Sequence, residues 1–305
     1  MNPLNIPPES APSDAVETLI VPRTRDLGGF EVRRALPATQ RQMIGPFVFL
    51  DQMGPADFAP GHGIDVRPHP HIGLSTVTWL YEGSMLHADS LGNNMVIQPG
   101  QVNWMTAGHA ITHSERSVPE AREAGFKMSG LQTWVALPKE HEDRAASFDH
   151  RKAEELPTLE AEGKKVTLIL GEMYGERAPS EVFSPMFYAD AQIKAGASLP
   201  LDNRDQDRAV YVFSGAIELA GEVYEAGRML VLRPGDALSL KAVQDSRLML
   251  LGGDPLDEPR HLWWNFVSSS LEKLEQAKQD WRKGDWENGR FQLPPSDKDE
   301  FIPLP

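Results

Sequence analysis

The sequence contains an internal repeat, which restricts the chain to folds that can be built twice. The stretches VTWLYEGSML and VIQPGQVNWM in the first half have counterparts in VYVFSGAIEL and VLRPGDALSL in the second half. Their superposition aligns Gly83 with Gly215 and Gly100 with Gly235, so the copies differ by a loop of about three residues. Both copies consist of short β-prone pieces separated by Gly and Pro, as is typical of β-barrels and sandwiches. We therefore predict an all-β protein with two similar domains, and 305 residues allow each a core of its own.

Composition along the chain suggests where these domains begin and end. Residues 1–15 are rich in Pro and Ser without periodicity and are predicted to form a mobile arm. Residues 141–163 are polar and strongly charged, which predicts a linker. The N-terminal domain is then expected at 16–140 and the C-terminal domain at 164–290, followed by a tail at 291–305.

One amphipathic helix is predicted at about residues 269–283, within the C-terminal domain. The residues that recur at helical spacing are Leu271, Leu274, Ala277, Lys278 and Trp281. Ser269, three residues before Glu272, predicts a capping box at the start of this helix. The apolar stripe is expected to pack on a barrel, although a partner-binding helix would show the same pattern.

Composition also excludes several classes of function. The net charge is −14 and Lys and Arg form no cluster, so direct binding of nucleic acid is not expected. The absence of cysteine excludes a disulfide framework, a thiolate nucleophile and thiolate metal sites, and leaves nitrogen and oxygen as metal ligands. No apolar run approaches the roughly 18 residues of a membrane span, and the N-terminus does not resemble a signal peptide. We therefore expect a cytoplasmic protein without a membrane partner.

Two pairs of residues in the first copy point to a metal site. His69 and His71 lie two apart in RPHPHIGLSTVTW, and His113 and Glu115 lie two apart in AITHSER. Because alternate residues of a strand face the same side, each pair would share a face. Across a small barrel they would offer three imidazoles and one carboxylate to a single ion. Imidazole suits Fe, Ni, Cu or Zn, carboxylate adds hard character, and an octahedral ion would keep two open positions.

The second copy lacks such residues. At the positions that correspond to His69, His71 and His113 it has Leu201, Asn203 and Leu248. No histidine occurs between residues 151 and 260. The metal site is therefore predicted in the first copy alone.

Other residues near the two pairs each fit two alternative roles. Phe47, Phe49, Trp104 and Met105 are candidates for the wall of a substrate pocket, but each also fits ordinary barrel packing. His109 fits either the surroundings of the site or a surface loop. His87 is expected to face solvent or to hydrogen-bond a turn.

These segments together resemble the pirin family of the cupin superfamily. The resemblance rests on PRTRDLGGFEVRRALP, IGPFVFLDQMGP, RPHPHIGLSTVTWLYEG, DSLGNN, QPGQVNWMTAGHAITHSE and WWNFVSSS, and it extends from about residue 20 to 285. It implies two cupin (jelly-roll) β-barrels in tandem with a C-terminal helix, and a metal in the N-terminal barrel only. The family's ligand motif falls on His69, His71, His113 and Glu115.

The resemblance also implies an activity. Family members bind one divalent transition metal, and Fe(II) is expected here, with Cu, Mn, Ni, Co and Zn as alternatives. Some members resemble quercetin 2,3-dioxygenases, which open the ring of a flavonol with O₂ and release carbon monoxide. This would make Glu115 the base that accepts the proton of the flavonol 3-hydroxyl. The alternative is a non-catalytic regulator that senses redox state through iron and acts on a protein partner.

One departure from the family pattern follows the second histidine. Many relatives carry Arg-Gly-Phe-Glu there, whereas this chain has Ile72, Gly73, Leu74 and Ser75. Since Ser75 offers no carboxylate, Glu115 must supply it. The replacement of arginine by Ile72 is expected to alter the substrate preference, which makes Ile72 a further candidate for the pocket.

Overall fold

The computed structural model describes residues 2–6, 12–26, 30–202 and 204–305, and it confirms the predicted all-β fold with a C-terminal helix. Its first strands are β1 Val16–Ile20, β2 Arg23–Asp26, β3 Glu31–Leu36, β4 Phe47–Phe58, β5 Asp65–His71, β6 Leu74–Glu82, β7 Met85–Asp89, β8 Asn94–Ile97, β9 Val102–Thr106 and β10 Ile111–Ser117. The strands that follow are β11 Phe126–Ala136, β12 Ser147–Arg151, β13 Thr158–Ala161, β14 Lys164–Met173, β15 Glu176–Arg177, β16 Met186–Ile193, β17 Ser198–Leu201, β18 Asp207–Ser214, β19 Ala216–Leu219, β20 Glu222–Glu225, β21 Arg228–Leu232, β22 Leu238–Ala242, β23 Ser246–Gly253, β24 His261–Trp263 and β25 Phe266–Ser268. The α-helices are α1 Pro119–Ala124 and α2 Leu271–Lys283.

The chain divides into two compact units, each assembled from separate stretches of sequence. One unit comprises Met1–Thr24, Arg33–Leu50 and Glu154–Leu256, and the other comprises Arg25–Val32, Asp51–Ala153 and Asp257–Pro305. All nine histidines of the sequence fall in the second set of ranges, so we name the units the histidine-free unit and the histidine unit. The boundaries at 16–140 and 164–290 stay a prediction. The predicted linker contains β12, which pairs with β9, and β13, which pairs with β14.

The histidine unit contains two large antiparallel sheets, besides the two-stranded sheet β24-β25. One has the strand order β5-β10-β7-β8, and the other contains the order β12-β9-β6-β11-β4. The first sheet carries both pairs of predicted ligands, because β5 ends at His71 and β10 runs from Ile111 to Ser117. This sheet therefore positions the candidate site.

The histidine-free unit repeats this arrangement with an apolar interior. Its sheets have the orders β17-β22-β19-β20 and β1-β21-β18-β23-β16-β14-β13. Alternating aliphatic residues of these strands form one buried core, to which Leu4 also contributes. Leu4 belongs to the predicted mobile arm, of which residues 2–6 and 12–15 are described. The mobility of the arm stays a prediction.

The repeat is present, but its turns align differently from the prediction. Gly100 lies between β8 and β9, whereas Gly235 lies between β21 and β22, so the Pro-Gly pairs mark different turns. The turn that corresponds to Gly100 contains Gly227, between β20 and β21. Leu240 lies as many residues after Gly227 as His113 lies after Gly100. The counterpart of His113 is therefore Leu240, and the predicted counterpart Leu248 is wrong.

Leu201, the predicted counterpart of His69, pairs with Leu238 as His71 pairs with Ile111, so it corresponds to His71 and that prediction is also wrong. Asn203, the predicted counterpart of His71, lies outside the described residues.

Helix α2 is present, with a different cap from the predicted one. Ser270 is the N-cap, and its hydroxyl accepts a hydrogen bond from the Lys273 main-chain nitrogen. The predicted capping box is wrong because the hydroxyl of Ser269 instead donates to Glu142. Leu271, the first residue of the helix, is 60% exposed and is not among its buried residues. Its buried residues Leu274, Ala277 and Trp281 belong to one cluster of the histidine unit, together with Ile72, Ala110, Phe266 and Phe291.

In the part of the chain that the structure describes, neither helix has the length and apolar character needed to cross a membrane.

Candidate metal centre

Three of the four predicted ligands come together on the sheet of β5 and β10. His113 lies opposite His69 in the antiparallel register, and Ile111 lies opposite His71. Directly opposed residues face the same side of a sheet, so the three imidazoles share a face. One ring nitrogen of each lies within 4.8 Å of the others, and all three side chains are buried. The strand-parity argument therefore predicted this cluster correctly.

Hydrogen bonds to main-chain carbonyls fix two of the three rings. Nδ1 of His69 lies 2.9 Å from the carbonyl oxygen of Arg67, and Nδ1 of His71 lies 3.0 Å from that of Asn265. A carbonyl oxygen can only accept, so Nδ1 carries the proton in both rings and Nε2 keeps its lone pair. Nε2 of His71 points at Nε2 of His113 across 3.1 Å. The nitrogens available to a metal thus converge.

Burial keeps these imidazoles neutral. Desolvation lowers the pKa of His69 from 6.5 to about 4, despite the hydrogen bond to the Arg67 carbonyl, which raises it. Desolvation, together with the neighbouring histidines, also lowers the pKa of His71 and of His113 well below the ordinary value. Neutral imidazole is the form that binds metal ions. The cluster is therefore ready to accept a cation near neutral pH.

A glycine allows the Asn265 carbonyl to reach His71. Gly73 follows β5 with a φ of +66°, and a Cβ atom added there would lie 2.0 Å from the carbonyl oxygen of Val267. This close approach brings the segment before β25 against the end of β5, where Ile72 forms a β-bridge with Phe266. A larger residue in place of Gly73 would push the segment before β25 away from His71.

Glu115 lies beside the histidine cluster and is not one of its members. It shares the face of His113, two residues away on β10, but neither of its carboxylate oxygens lies within 4.8 Å of all three ligand nitrogens of the cluster. Gln132 Nε2 donates to Oε1 of Glu115 at 3.1 Å, and the Thr78 hydroxyl donates to Oε1 of Gln132 at 2.8 Å. Desolvation raises the pKa of Glu115, while His87 and the hydrogen bonds from Gln132 and Thr78 oppose the rise. Its role as a ligand stays a proposal.

His87 is a site residue that the sequence reasoning missed. Of the two expectations for His87, exposure to solvent is wrong, because its side chain is 4% exposed, and a hydrogen bond to a turn is confirmed, because Asp89 begins the turn that follows β7. Nδ1 of His87 lies 3.5 Å from Nδ1 of His113, and Nε2 lies 3.0 Å from Oδ2 of Asp89. His87 and Asp89 are also two residues apart on a strand, so the parity argument could have placed them on the face of the cluster.

Two aromatic residues that were not predicted from the sequence also contact the histidines. The ring of Trp134 packs edge-on against His71 with centroids 5.1 Å apart. Phe148 stacks on His87 with centroids 4.6 Å apart. Trp134 lies on β11 and Phe148 on β12, both of the opposite sheet, and this long separation in sequence hid them.

The six predicted pocket residues lie in different surroundings. Met105 lies opposite Phe148 in the register of β9 and β12 and so shares its face, whereas Trp104, one residue earlier, faces the other side. Ile72 packs against helix α2. His109 is exposed, and its carbonyl accepts hydrogen bonds from Arg290.

The remaining two pocket candidates belong to the histidine-free unit. Phe47 stacks on Tyr188 with ring centroids 5.6 Å apart, and the guanidinium of Arg34 lies over the ring of Phe49. The participation of all six in substrate binding stays a prediction, and Met105 has the position that fits it best.

Comparison with known proteins identifies the family. Residues 29–135 match the family described as Pirin, and residues 188–291 match the Pirin C-terminal cupin domain. A pirin-like protein from Caulobacter vibrioides is 49% identical, with 93% of this chain and 97% of that protein covered. Pirin from Rattus norvegicus is 32% identical, with 89% and 93% covered. The crystal structure of a quercetin 2,3-dioxygenase from Acinetobacter baumannii superposes with a TM-score of 0.86 at 34% identity, over 94% of each chain. The chain, with its two cupin domains, therefore belongs to the pirin family.

Proposed function

We propose that the histidine unit binds one divalent transition metal and acts as a dioxygenase on a flavonol-like aromatic substrate. The observation that carries this proposal is the set of three buried, neutral imidazoles whose nitrogens converge. The similarity to a quercetin 2,3-dioxygenase over 94% of the chain supports the choice of reaction. His69, His71 and His113 are the proposed metal ligands, with Glu115 as the fourth.

The donor set fits such an ion. Imidazole nitrogen with one carboxylate is suited to Fe(II), which we propose, and also to Mn, Co, Ni, Cu and Zn. Nε2 of His71 and Nε2 of His113 face each other at 3.1 Å, which is favourable only with a cation or a proton between them. Carbonyl partners behind His69 and His71 are the arrangement that commonly orients metal-binding histidines.

Glu115 is the proposed base. Its pKa is raised by burial, which moves the carboxylate toward the range in which it can accept a proton near neutral pH. The donor Gln132 holds Oε1, which leaves Oε2 to take the proton of the flavonol 3-hydroxyl. The deprotonated flavonol is electron-rich and can react with O₂. The metal, when bound, supplies Lewis-acid and redox chemistry, while Trp134 and Phe148 provide apolar surface that limits water.

The test is turnover by protein of known metal content. Protein purified without a nickel affinity resin is loaded with iron, copper or manganese, and the flavonol absorbance band is followed with O₂ consumption. We expect loss of the band, and we expect Glu115→Gln to retain metal and lose turnover. The matched control is Glu120→Gln, because Glu120 is an exposed carboxylate on α1. A persistent band with fully loaded protein would contradict the dioxygenase and leave the regulator that senses redox state.

A further inference from the structure

The outer nitrogen of His113 faces a side chain, unlike that of the other two histidines. His69 and His71 bond to main-chain carbonyls, but Nδ1 of His113 faces Nδ1 of His87 at 3.5 Å. His87 in turn reaches Oδ2 of Asp89 through Nε2 at 3.0 Å. Asp89 is fully buried and His87 is 4% exposed. A chain of three side chains therefore runs from a buried carboxyl group to one of the proposed ligands.

Asp89 determines the direction of the hydrogen bonds in this chain. The other partners of its carboxylate are the main-chain nitrogens of Leu91 and Asn93 and the amide Nδ2 of Asn93, at 2.9 to 3.1 Å. All of these donate, so both oxygens of Asp89 act as acceptors. Nε2 of His87 must then donate to Oδ2, which leaves the lone pair of His87 on Nδ1.

Two acceptors compete for the His113 proton. The lone pair on Nδ1 of His87 faces Nδ1 of His113 at 3.5 Å, and the lone pair on Nε2 of His71 faces Nε2 of His113 at 3.1 Å. A cation bound by the cluster would occupy the Nε2 lone pairs, and the His113 proton would then lie on Nδ1, where His87 accepts it. The separation of 3.5 Å is long for a hydrogen bond, so the tautomer depends closely on where the His87 ring lies.

Two features hold the His87 ring in place. Phe148 stacks on it at an interplanar angle of 21°, which restricts rotation of the ring. The turn that follows β7, with the sequence DSLGN, wraps its main-chain nitrogens and Asn93 around Asp89. This gives a physical role to a motif that carries no proposed ligand.

We propose that Asp89 and His87 are positioning residues that hold His113 in the tautomer with a metal-binding Nε2. This inference rests on the proposed role of His113 as a ligand. It implies that the turn after β7 is part of the metal centre, and that a change there weakens the site without touching a ligand. Outer partners of metal-binding histidines typically contribute about 10- to 100-fold to metal affinity.

The first test needs no variant. Long-range ¹H–¹⁵N NMR of the metal-free wild-type protein reports which nitrogen of each histidine carries the proton. We expect His87 to be protonated on Nε2 and bare on Nδ1, so that it can accept the proton of His113. A His87 that carries its proton on Nδ1 would overturn the proposal. Because this readout uses no metal, it decides the inference even if the proposed dioxygenase function fails.

The second test is metal affinity, measured by competition with a chelator for Fe(II), or for Co(II) as a stable substitute. His87→Phe keeps an aromatic ring against Phe148 but has no acceptor, and we expect the affinity to fall about 10- to 100-fold. His87→Asn restores an acceptor near the position of Nδ1 and is expected to bind close to wild type. The matched control is His150→Phe, because His150 is a partly buried histidine on β12 that bonds to Asn103.

The outcomes separate positioning from general packing. Weak binding by His87→Phe with recovery in His87→Asn supports the proposal. Equal losses in His87→Phe and His150→Phe, or a folded His87→Phe protein that binds as tightly as wild type, would overturn it. Absence of metal binding by the wild type would contradict the proposed function, while the NMR result still decides the tautomer.

Discussion

The two units carry the same four-stranded sheet with opposite interiors. The orders β5-β10-β7-β8 and β17-β22-β19-β20 correspond strand by strand. Where His113 lies opposite His69, Leu240 lies opposite Leu199. Where Ile111 lies opposite His71, Leu238 lies opposite Leu201, and where Glu115 lies opposite His87, Ala242 lies opposite Ile217. Leu219, two residues after Ile217 on β19, occupies the place of Asp89 on β7.

The difference lies in the polar side chains that the histidine unit buries at positions where the histidine-free unit has apolar ones. Each counterpart in the histidine-free unit is buried in an aliphatic core, which satisfies the fold without any polar partner. In the histidine unit the same positions hold imidazoles and carboxylates, which are unfavourable in a core unless other groups bond to them. The histidine-free unit shows that the fold does not require these groups, and this supports the proposed metal site in the histidine unit.

The largest expected effect comes from placing a histidine in the apolar interior. Leu240→His would bury a polar ring among aliphatic side chains, and we expect the free energy of unfolding to fall by about 3 kcal/mol or more. Urea denaturation measures this loss. Leu240→Met is the control and should lose less than about 1.5 kcal/mol. If the histidine variant loses less than the methionine variant, the apolar interior is not what separates the two units.

The reverse exchange tests the histidine unit. His113→Leu introduces the counterpart residue and should weaken metal binding by about 3 kcal/mol, roughly 100-fold, because one of four ligands is lost. The metal-free protein should keep its stability within about 1 kcal/mol, since an apolar side chain replaces a buried polar one. Chelator competition and denaturation measure both. His150→Leu is the control. Unchanged metal affinity in His113→Leu would show that His113 does not distinguish the metal-binding interior from the apolar one.

Gly73→Ala tests the close main-chain approach that brings the Asn265 carbonyl to His71. A Cβ atom there would meet the Val267 carbonyl at 2.0 Å with φ at +66°, so we expect a loss of about 1–3 kcal/mol in the free energy of unfolding. Metal affinity should fall too, because the neighbouring Asn265 carbonyl would move from His71. Gly61→Ala has positive φ but nothing within 4 Å of the added Cβ, so it isolates the conformational strain. Equal effects of both variants on metal affinity would refute this role of Gly73.

The smallest expected effect lies at the surface of the histidine unit. Desolvation of the Asp297 carboxyl raises its pKa, but hydrogen bonds from Arg116 and Ser114 outweigh this and lower it. A carboxyl with a lowered native pKa stabilises the fold above its unfolded value of 3.8, and this contribution is lost as the pH falls through the native value. Asp297→Asn should therefore cost about 1 kcal/mol at pH 7 and nothing at strongly acidic pH.

Denaturation of both proteins across pH measures this difference. Metal affinity at pH 7 should be the same in both, because the Asp297–Arg116 ion pair lies outside the interior. A difference in stability that grows as the pH falls would contradict the assignment.

Strand parity was sufficient to predict the histidine cluster, because His69, His71 and His113 need only a local rule and one strand pairing. Gln132 and Trp134 reach the same interior from the other sheet, and no local pattern marks them. The counterpart of His113 was placed at Leu248 because Pro-Gly pairs occur at turns that are not equivalent.

Contacts between distant residues also explain what the sequence left out around α2. Ile72, whose participation in substrate binding stays a prediction, packs in the cluster with Phe266 and Trp281. Ser269 was expected to cap the helix, but Glu142 accepts its hydroxyl. Both outcomes depend on contacts between residues far apart in sequence, which periodicity cannot register.

The most direct test of the account is anomalous diffraction at the iron absorption edge from crystals of Fe(II)-loaded protein. We predict one strong peak, bonded to Nε2 of His69, His71 and His113, and no peak in the sheet that carries Leu199 and Leu240. The absence of a peak at the three histidines, or an iron held elsewhere in the chain, would contradict it.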